Sequence, residues 1–217
     1  ISILTILSQA IRLTSTMHYF KYVAGREDWG ARLLLYNSLA SIAAVLLAKW
    51  ICAWIGDKKR TYMVLNLLFA VLLVWFYFIP ADAFGLMIAS QLLMAFGAAP
   101  MMPMFWSMIA DTADYGAVRF GHRSTGIVFS AGTASQKIGW SIGPAIAMGI
   151  LGVSGFVANA SQAPETMQTL RLLMSFIPAG FAVATAAATL FYKIDGKTEK
   201  ELEQALTEMN RTVGSAE

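Results

Sequence analysis

The chain has 217 residues, of which 57% are apolar and 13% are charged, and its formal net charge is +3. Soluble domains carry about a quarter charged residues, so this composition excludes an ordinary soluble globule, which must keep a wetted surface. The basic balance does not indicate nucleic-acid binding, because the basic residues lie in short clusters between apolar runs, as in the cytoplasmic loops of membrane proteins.

Residues that build catalytic or metal sites are scarce. The single cysteine, Cys52, excludes a disulfide within the chain and a cysteine-based metal cage. Two histidines alone do not make a conventional metal site, and the sequence has no Ser/His/Asp constellation or phosphate-binding loop. We therefore expect no enzyme activity. The chain begins at Ile1 inside an apolar run without a signal-peptide pattern, so we expect it to be a fragment of a longer protein.

Long apolar runs predict membrane-spanning helices. Between residues 61 and 110 the only charged residue is Asp82, and between residues 124 and 164 it is Lys137. A bilayer core about 30 Å thick takes about 20 helical residues to cross. The runs are continuous rather than alternating, which argues against the strands of a membrane barrel. They predict six transmembrane helices, at residues 1–24, 31–55, 61–79, 84–110, 125–153 and 169–192.

Basic residues cluster between the predicted helices on one side. The clusters are residues 58–60, then Arg119, His122 and Arg123, then Lys193, Lys197 and Lys200. With six crossings these sites share one side of the membrane, and the basic excess makes that side cytoplasmic. We therefore predict a six-helix bundle at residues 1–192 and a solvated cytoplasmic tail at residues 193–217, with a short surface helix near residues 199–209.

The fifth predicted helix carries a charge near its middle. Lys137 falls close to the membrane midplane, where a charge costs at least ~2.5–3.5 kcal/mol. Ser130, Thr133 and Ser141 share its face at helical spacing. Two interpretations remain open: a lysine in a structural hydrogen-bond network, and a site for a solute or counter-ion. The second is the usual one for a charge inside a membrane.

A polar face also follows the first predicted helix. Its members are Thr5, Gln9, Arg12, Thr16 and Tyr19. Polar side chains in a membrane helix seek other helices or water rather than lipid, so we expect Arg12 and Tyr19 to line a cavity.

Trp106, in the fourth predicted helix, has two possible roles. It can stack on a sugar ring or anchor the helix at the membrane interface, and its nearness to the cytoplasmic end favours the anchor.

Four charged residues lie at the end of the fourth predicted helix and in the loop after it: Asp111, Asp114, Arg119 and Arg123. The two acids are three residues apart and share one helical face. They form either a solvated loop or a cytoplasmic gate, which would bind the other half of a transporter in one conformation and release it in another.

Glycine and proline residues interrupt the fourth and fifth predicted helices, notably at Pro100, Gly139, Gly143 and Pro144. Glycine lets helices approach closely, and proline frees backbone groups and allows a bend. This pattern is typical of a moving transporter but weakly specific.

The stretch from Met104 to Gly116 contains Ala110-Asp111-x-x-Asp114-Tyr115-Gly116, and Gly121-x-Arg123 and Lys137 follow. It resembles the glycoside–pentoside–hexuronide:cation symporter family, which is melibiose-permease-like and of the major facilitator type. Tyr19-Phe20-x-Tyr22-Val23-x-Gly25 resembles a second pattern of that family. The resemblance covers essentially the whole chain.

The resemblance implies that the chain is all-α and forms helices seven to twelve, the C-terminal bundle, of a twelve-helix transporter. Its partners would be the N-terminal six-helix half, membrane lipid and a sugar or glycoside. Lys137 matches the family lysine in the polar network around sugar and cation, and Thr133 matches a polar position one turn before it. Asp111, Asp114 and Arg123 match the cytoplasmic charged motif. The coupling cation, Na⁺ or H⁺, would bind mainly to acids of the N-terminal half, with no other cofactor.

Three positions depart from the family pattern. Ala117 and Thr125 stand where relatives often carry acids, so the charge network is thinner. Met102 stands where an aromatic side chain of the family contacts sugar. These departures weaken the predicted gate and leave one sugar contact absent or replaced.

We expect the parent protein to perform symport of a sugar or glycoside with a cation by alternating access. It would lie in the plasma membrane, the inner membrane of a bacterium, with both ends of this chain cytoplasmic. Two alternatives stay open: a lipid or lysolipid carrier of the same fold, and a non-transporting membrane sensor.

Overall fold

The described part of the chain is helical in a computed structural model, which describes residues 1–80, 82–121 and 124–214 without the side chains of residues 31 and 209–214. The helices are α1 (Ser2–His18), α2 (Glu27–Ile55), α3 (Lys58–Tyr77), α4 (Phe84–Ala98), α5 (Met101–Phe120), α6 (Thr125–Val153), α7 (Pro164–Met174), α8 (Phe176–Leu190) and α9 (Gly196–Gly214). A π-helical turn, Tyr19–Val23, continues α1.

Four helical segments of the described chain are long and apolar enough to cross a membrane. They are Glu27–Ile55, Lys58–Tyr77, Phe84–Phe120 and Pro164–Leu190. The predicted all-helical membrane class is therefore confirmed. The predicted count of six is not shown by length and composition alone, because α1 has 17 residues and the 29-residue α6 carries Lys137 and several hydroxyl side chains.

Two of the predicted helices are each divided into two shorter helices in the structure. The predicted helix at residues 84–110 divides at Ala99–Pro100 into α4 and α5, and α5 continues ten residues further, to Phe120. The predicted helix at residues 169–192 begins earlier, at Pro164, and divides at Ser175. Pro178 has no N–H to donate to the carbonyl four residues before it, at Met174, so the chain starts a new helix there.

The tail is less solvated than predicted. α9 begins at Gly196 and packs against α5. Ile194 and Leu202 are buried, with 7% and 8% of their surfaces exposed. The sequence has no long apolar stripe in this segment, but two apolar side chains and one ion pair, described below, are enough to hold the helix against the bundle.

The core forms where α1 packs against α6 and α8, and α3 packs against α8. Its largest fully buried side chains include Phe20, Tyr62, Phe69, Phe76 and Met87. α2 and α6 contribute few side chains to it. In α2 the buried positions among the described residues are Gly30, Leu33 and Ala44, and in α6 they are three glycines, Ala147 and Leu151. These two long helices therefore present most of their surface to lipid or to another protein segment.

The contact between α1 and α6 depends on glycine. A Cβ atom added at Gly143 would lie 2.6 Å from the Cβ of Ala10, and one added at Gly139 would lie 2.7 Å from the Cβ of Ile6.

Gly143→Ala should force the two helices apart and destabilise the protein by about 1–3 kcal/mol, measured as a lower Tm of the purified full-length protein in detergent. Gly149→Ala is the matched control, because a Cβ there meets nothing within 4 Å. Equal Tm values for the two variants would contradict the close approach.

Candidate functional site

A cavity of about 570 Å³ lies between α1, α2, α4 and α6, and its lining also includes Met102 at the start of α5. Its polar lining consists of Gln9 and Arg12 from α1 and Asn37, Ser38 and Ser41 from α2. Its apolar lining includes Trp140 of α6. The volume falls within the range of about 300–1,000 Å³ that small-molecule sites occupy. We call this space the central cavity.

Helical spacing explains how these side chains meet. Gln9 and Arg12 are three residues apart, and Asn37 and Ser41 are four apart, so each pair shares one helical face. The polar face of α1 is predicted by the sequence, whereas the polar face of α2 was missed. The signal was present as a small group of polar residues inside an otherwise apolar helix.

Arg12 is the only charged residue lining the central cavity within the described chain. It is 9% exposed, it donates a hydrogen bond from Nη1 to Oε1 of Gln91, and its guanidinium carbon lies 5.8 Å from the centre of the Phe69 ring. Its Nε has no hydrogen-bond partner, and neither has Nε2 of Gln91. No described carboxylate forms an ion pair with Arg12. A buried cation without an anion is costly, so an incoming anion would stabilise this site.

Lys137 and Thr133 lie on α6 outside the lining of the central cavity. Both are exposed on α6, and Lys137 comes one turn before the cavity residue Trp140. Thr133 donates its hydroxyl hydrogen to the carbonyl of Phe129. The carbonyl of Lys137 accepts a hydrogen bond from the Ser141 hydroxyl, but its ammonium group makes no hydrogen bond or ion pair with the part of the chain that the structure describes. Its ammonium group is therefore available to a ligand or to another protein segment.

Tyr19 and Trp106 lie outside the lining of the central cavity. Tyr19 is 2% exposed and its ring lies 5.3 Å from the ring of Phe76 in the core. Trp106 is half-buried and stacks on Phe129 of α6 at 5.8 Å. In this conformation both side chains serve helix packing, so Arg12 is the one predicted substrate residue in the described lining of the central cavity.

A cluster of charges ties three helices together at the end of the bundle where α2 ends and α3 begins. Gly56, with φ of 123°, ends α2, and Asp57 caps α3 by accepting a hydrogen bond from the N–H of Arg60 at 2.7 Å. Lys58 then lies in the first turn of α3. Its Nζ is 2.8 Å from Oδ2 of Asp111 in α5 and 2.7 Å from Oε1 of Glu199 in α9. We call Lys58, Asp111 and Glu199 the charged clasp.

The clasp gives Asp111 a partner within this chain, which the sequence analysis did not anticipate. The other predicted gate residues lie further along α5 and beyond it. Asp114 is half-buried, and Arg119 is exposed with its guanidinium 6.0 Å from the centre of the Tyr115 ring. Arg123, the fourth predicted gate residue, lies outside the described residues.

Comparison with known proteins identifies the family. Residues 1–196 match the family described as MFS/sugar transport protein. The chain therefore belongs to that family, whose members are transporters, and it is a multi-pass membrane protein. The resemblance to cation-coupled glycoside symporters is confirmed at this level.

Three relatives illustrate the similarity. The chain is 29% identical over 191 residues to the glucuronide carrier protein homolog of Escherichia coli (strain K12), covering 87% of this chain and 41% of that protein. It is 30% identical over 197 residues to the isoprimeverose transporter of Lactiplantibacillus pentosus, covering 87% and 39%. It is 31% identical over 194 residues to an uncharacterized 29.9 kDa protein of Pseudescherichia vulneris, covering 89% and 71%. The chain thus spans about two fifths of the length of the first two relatives.

Proposed function

We propose that the chain is the C-terminal half, with six membrane-crossing helices, of a twelve-helix secondary active transporter. The transporter moves a sugar or glycoside together with Na⁺ or H⁺ by alternating access around a site near the membrane midplane. The observation that carries this proposal is the polar-lined central cavity, with Lys137 one turn from its edge, in a chain of the MFS/sugar transport family. α1 with its π-helical turn and α6 supply the two crossings beyond the four segments identified by length and composition.

The exposure of α2 and α6 supports the assignment to one half of a transporter. Both helices contribute to the lining of the central cavity, and both bury few of their side chains within this chain. An N-terminal half docked on these two helices would cover their outward faces and close the cavity between the halves. The relatives' greater length supports this arrangement.

Three side chains are proposed to meet the substrate. Arg12 lines the cavity, and Lys137 and Thr133 follow the face of α6 beside it. Lys137 would donate hydrogen bonds to sugar hydroxyls or pair with an acid of the N-terminal half. The printed names of two relatives, a glucuronide carrier homolog and an isoprimeverose transporter, support a sugar as the cargo.

The charged end of the bundle is proposed to be the cytoplasmic gate. Asp114, Arg119 and Arg123 would bridge to the N-terminal half when the cavity faces outward. Asp111 would exchange between Lys58 and that half, because it already has a partner in this chain.

The proposed topology places both ends of this chain in the cytoplasm of a bacterium, with the bundle in the inner membrane. Cys52 is half-buried and lines a second cavity of about 520 Å³, together with Lys58 and Glu199. A membrane-impermeant thiol reagent should therefore label Cys52 of the full-length protein only when it has access to the cytoplasmic side. Ala160→Cys in a Cys52→Ser background should show the reverse, because residue 160 is exposed in the loop between α6 and α7. Labelling of Cys52 from the outside alone would contradict this topology.

Uptake by the full-length protein in proteoliposomes tests the proposed function. The panel should contain glycosides, hexuronides and lysolipids, each offered with a Na⁺ gradient, a proton gradient or neither. Gradient-driven accumulation of at least one sugar and of no lysolipid is the expected result. Movement of lysolipids alone would establish a lipid carrier, and movement of neither class would favour a sensor.

A further inference from the structure

Five of the six tryptophans in the chain have surroundings that explain them. Two pack against a phenylalanine ring, with the ring centres 5.0 Å and 5.8 Å apart: Trp29 and Trp106. Three are exposed in the last two turns of α2 or α3: Trp50, Trp54 and Trp75. Tryptophan commonly anchors a helix at the membrane interface in such positions. The sixth, Trp140, fits neither description.

Trp140 lies near the middle of α6, which runs from Thr125 to Val153. A role as an interface anchor is therefore excluded by its depth. Its side chain is 40% exposed, and it makes no hydrogen bond or ring contact with the residues that the structure describes. An indole N–H without a partner is costly in hydrocarbon. Trp140 thus carries an apolar face and a hydrogen-bond donor that this half of the protein leaves unused.

The walls of the central cavity differ in their chemistry. Every polar side chain of the described lining comes from α1 or α2, whereas α6 contributes Trp140 alone, the one aromatic residue of that lining. A pyranose ring is divided in the same way, because its hydroxyl groups project from the edge and its C–H groups lie on the face. Such a face packs well on an aromatic ring. An open-chain polyol has no fixed face of this kind.

We propose that Trp140 is the stacking platform of the central cavity and makes the site selective for pyranose rings over open-chain polyols. The indole face packs on the C–H face of the ring, and the indole N–H donates to a ring hydroxyl. This inference rests on the proposed function and assigns a specificity-determining residue to the same site. Trp106, the sequence candidate for stacking, is already occupied by Phe129.

The test pairs each pyranoside with the open-chain alditol of the same carbon skeleton. The pairs are methyl β-D-glucoside with D-glucitol, methyl α-D-galactoside with galactitol, and methyl β-D-xyloside with xylitol. Binding to the purified full-length protein is measured by calorimetry at saturating cation. At least one pyranoside should bind about tenfold or more tightly than its alditol, because the ring buries one face against the indole. The rigidity of the ring also favours the pyranoside, so variants must assign the preference to Trp140.

Trp140→Leu keeps an apolar side chain and removes the aromatic face. It should weaken pyranoside binding about tenfold, while alditol binding changes by less than about threefold. Trp140→Phe keeps an aromatic face and should stay within about threefold of the wild-type protein. Trp75→Leu is the matched control and should change neither affinity. Trp75 is 39% exposed, much as Trp140 is, but it lies in the last turn of α3 outside the cavity lining.

Tryptophan fluorescence supplies a readout that a purely structural role would not move. A saturating pyranoside should change the emission of the wild-type protein and of Trp75→Leu, and this change should disappear in Trp140→Leu. The Tm of each variant shows whether it folds. If Trp140→Leu does not fold, Trp140→Phe decides, because it should keep the preference for the pyranoside and lose the change in emission.

Several results would overturn the inference. One is equal binding of pyranosides and alditols by the wild-type protein, and another is an unchanged pyranoside affinity in Trp140→Leu. Equal losses for pyranoside and alditol would show that Trp140 packs against the N-terminal half instead. Every sugar that the uptake panel shows to be transported is also assayed in Trp140→Leu. Unchanged transport in this variant refutes the inference and leaves the proposed function standing, whereas transport of no sugar by the wild-type protein refutes both.

Discussion

Replacing Lys137 with methionine is expected to abolish cation-driven sugar uptake by the full-length transporter while the protein still inserts into the membrane. Methionine keeps much of the length of lysine and removes the ammonium group. Within the described chain that group has no hydrogen bond or ion pair, so no internal contact of this half is lost. Loss of a charged hydrogen bond to substrate removes about 1.5–3 kcal/mol, which is a fall in affinity of at least about tenfold.

Lys137→Arg should fail as well. A planar guanidinium cannot replace a compact ammonium group in a shaped site. Lys193→Met is the control, because Lys193 is exposed after α8 and far along the chain from the cavity residues. Sugar binding should be measured with and without the coupling cation, and folding should be measured separately by Tm. An unchanged affinity and an unchanged cation dependence in Lys137→Met would remove Lys137 from the mechanism.

Lys58→Met is expected to release α9 from the bundle. Lys58 is the shared cation of the charged clasp, and the side chains of Lys58 and Asp111 are only 24% and 16% exposed. Its loss leaves two carboxylates near each other without their common partner. Breaking a partly exposed pair of this kind should destabilise the protein by about 1–3 kcal/mol, less than for a fully buried pair. The direct measurement is limited trypsin digestion, which should cut at Lys197 and Lys200 faster than in the wild-type protein.

A double variant separates the pair from the individual residues. Lys58→Met with Asp111→Asn should recover part of the lost stability, because the unpaired carboxylate is then neutral. Lys59→Met is the matched control, since the Lys59 ammonium donates to the backbone carbonyl of Leu190 rather than to an acid. Digestion of Lys58→Met at the wild-type rate would show that the clasp does not hold α9.

The sequence predicts the membrane helices well because charged residues are scarce within them and cluster in the segments between them. The charge-poor runs place the core of every predicted helix, and Pro100 stands at the division between α4 and α5. The boundaries are less predictable. Asp111 and Asp114 lie within α5 rather than after its end. The helix continues to Phe120, because Gly121, with φ of 71°, supplies its C-terminal cap. Charge alone would end the helix earlier.

The lining of the central cavity was only partly predictable. Arg12 and Tyr19 are seven residues apart and share a face by helical periodicity, yet Arg12 lines the cavity and Tyr19 lies in the core. Both side chains reach α3, Arg12 at Phe69 and Tyr19 at Phe76, so they keep the shared face, but only Arg12 is also part of the cavity lining. The position of Asn37 in the cavity lining could not be predicted from the sequence. A polar residue of α2 becomes part of a cavity only because α1 and α4 pack beside it.

The charged clasp was not predictable from local patterns. Lys58 and Glu199 lie 141 positions apart in the sequence, and each alone is typical of a solvated cytoplasmic segment. Only the fold shows that the start of α3 and the start of α9 meet over Asp111.

The central claim is that the cavity between α2 and α6 is the substrate pathway and opens to each side of the membrane in turn. Ser41→Cys in a Cys52→Ser background tests it most directly, because Ser41 lines the cavity and the change is small. A membrane-impermeant thiol reagent should reach this cysteine from either side of the membrane, and a transported sugar with its coupling cation should protect it from both. Reaction from one side only under all conditions, or reaction that a transported sugar leaves unchanged, would contradict the account.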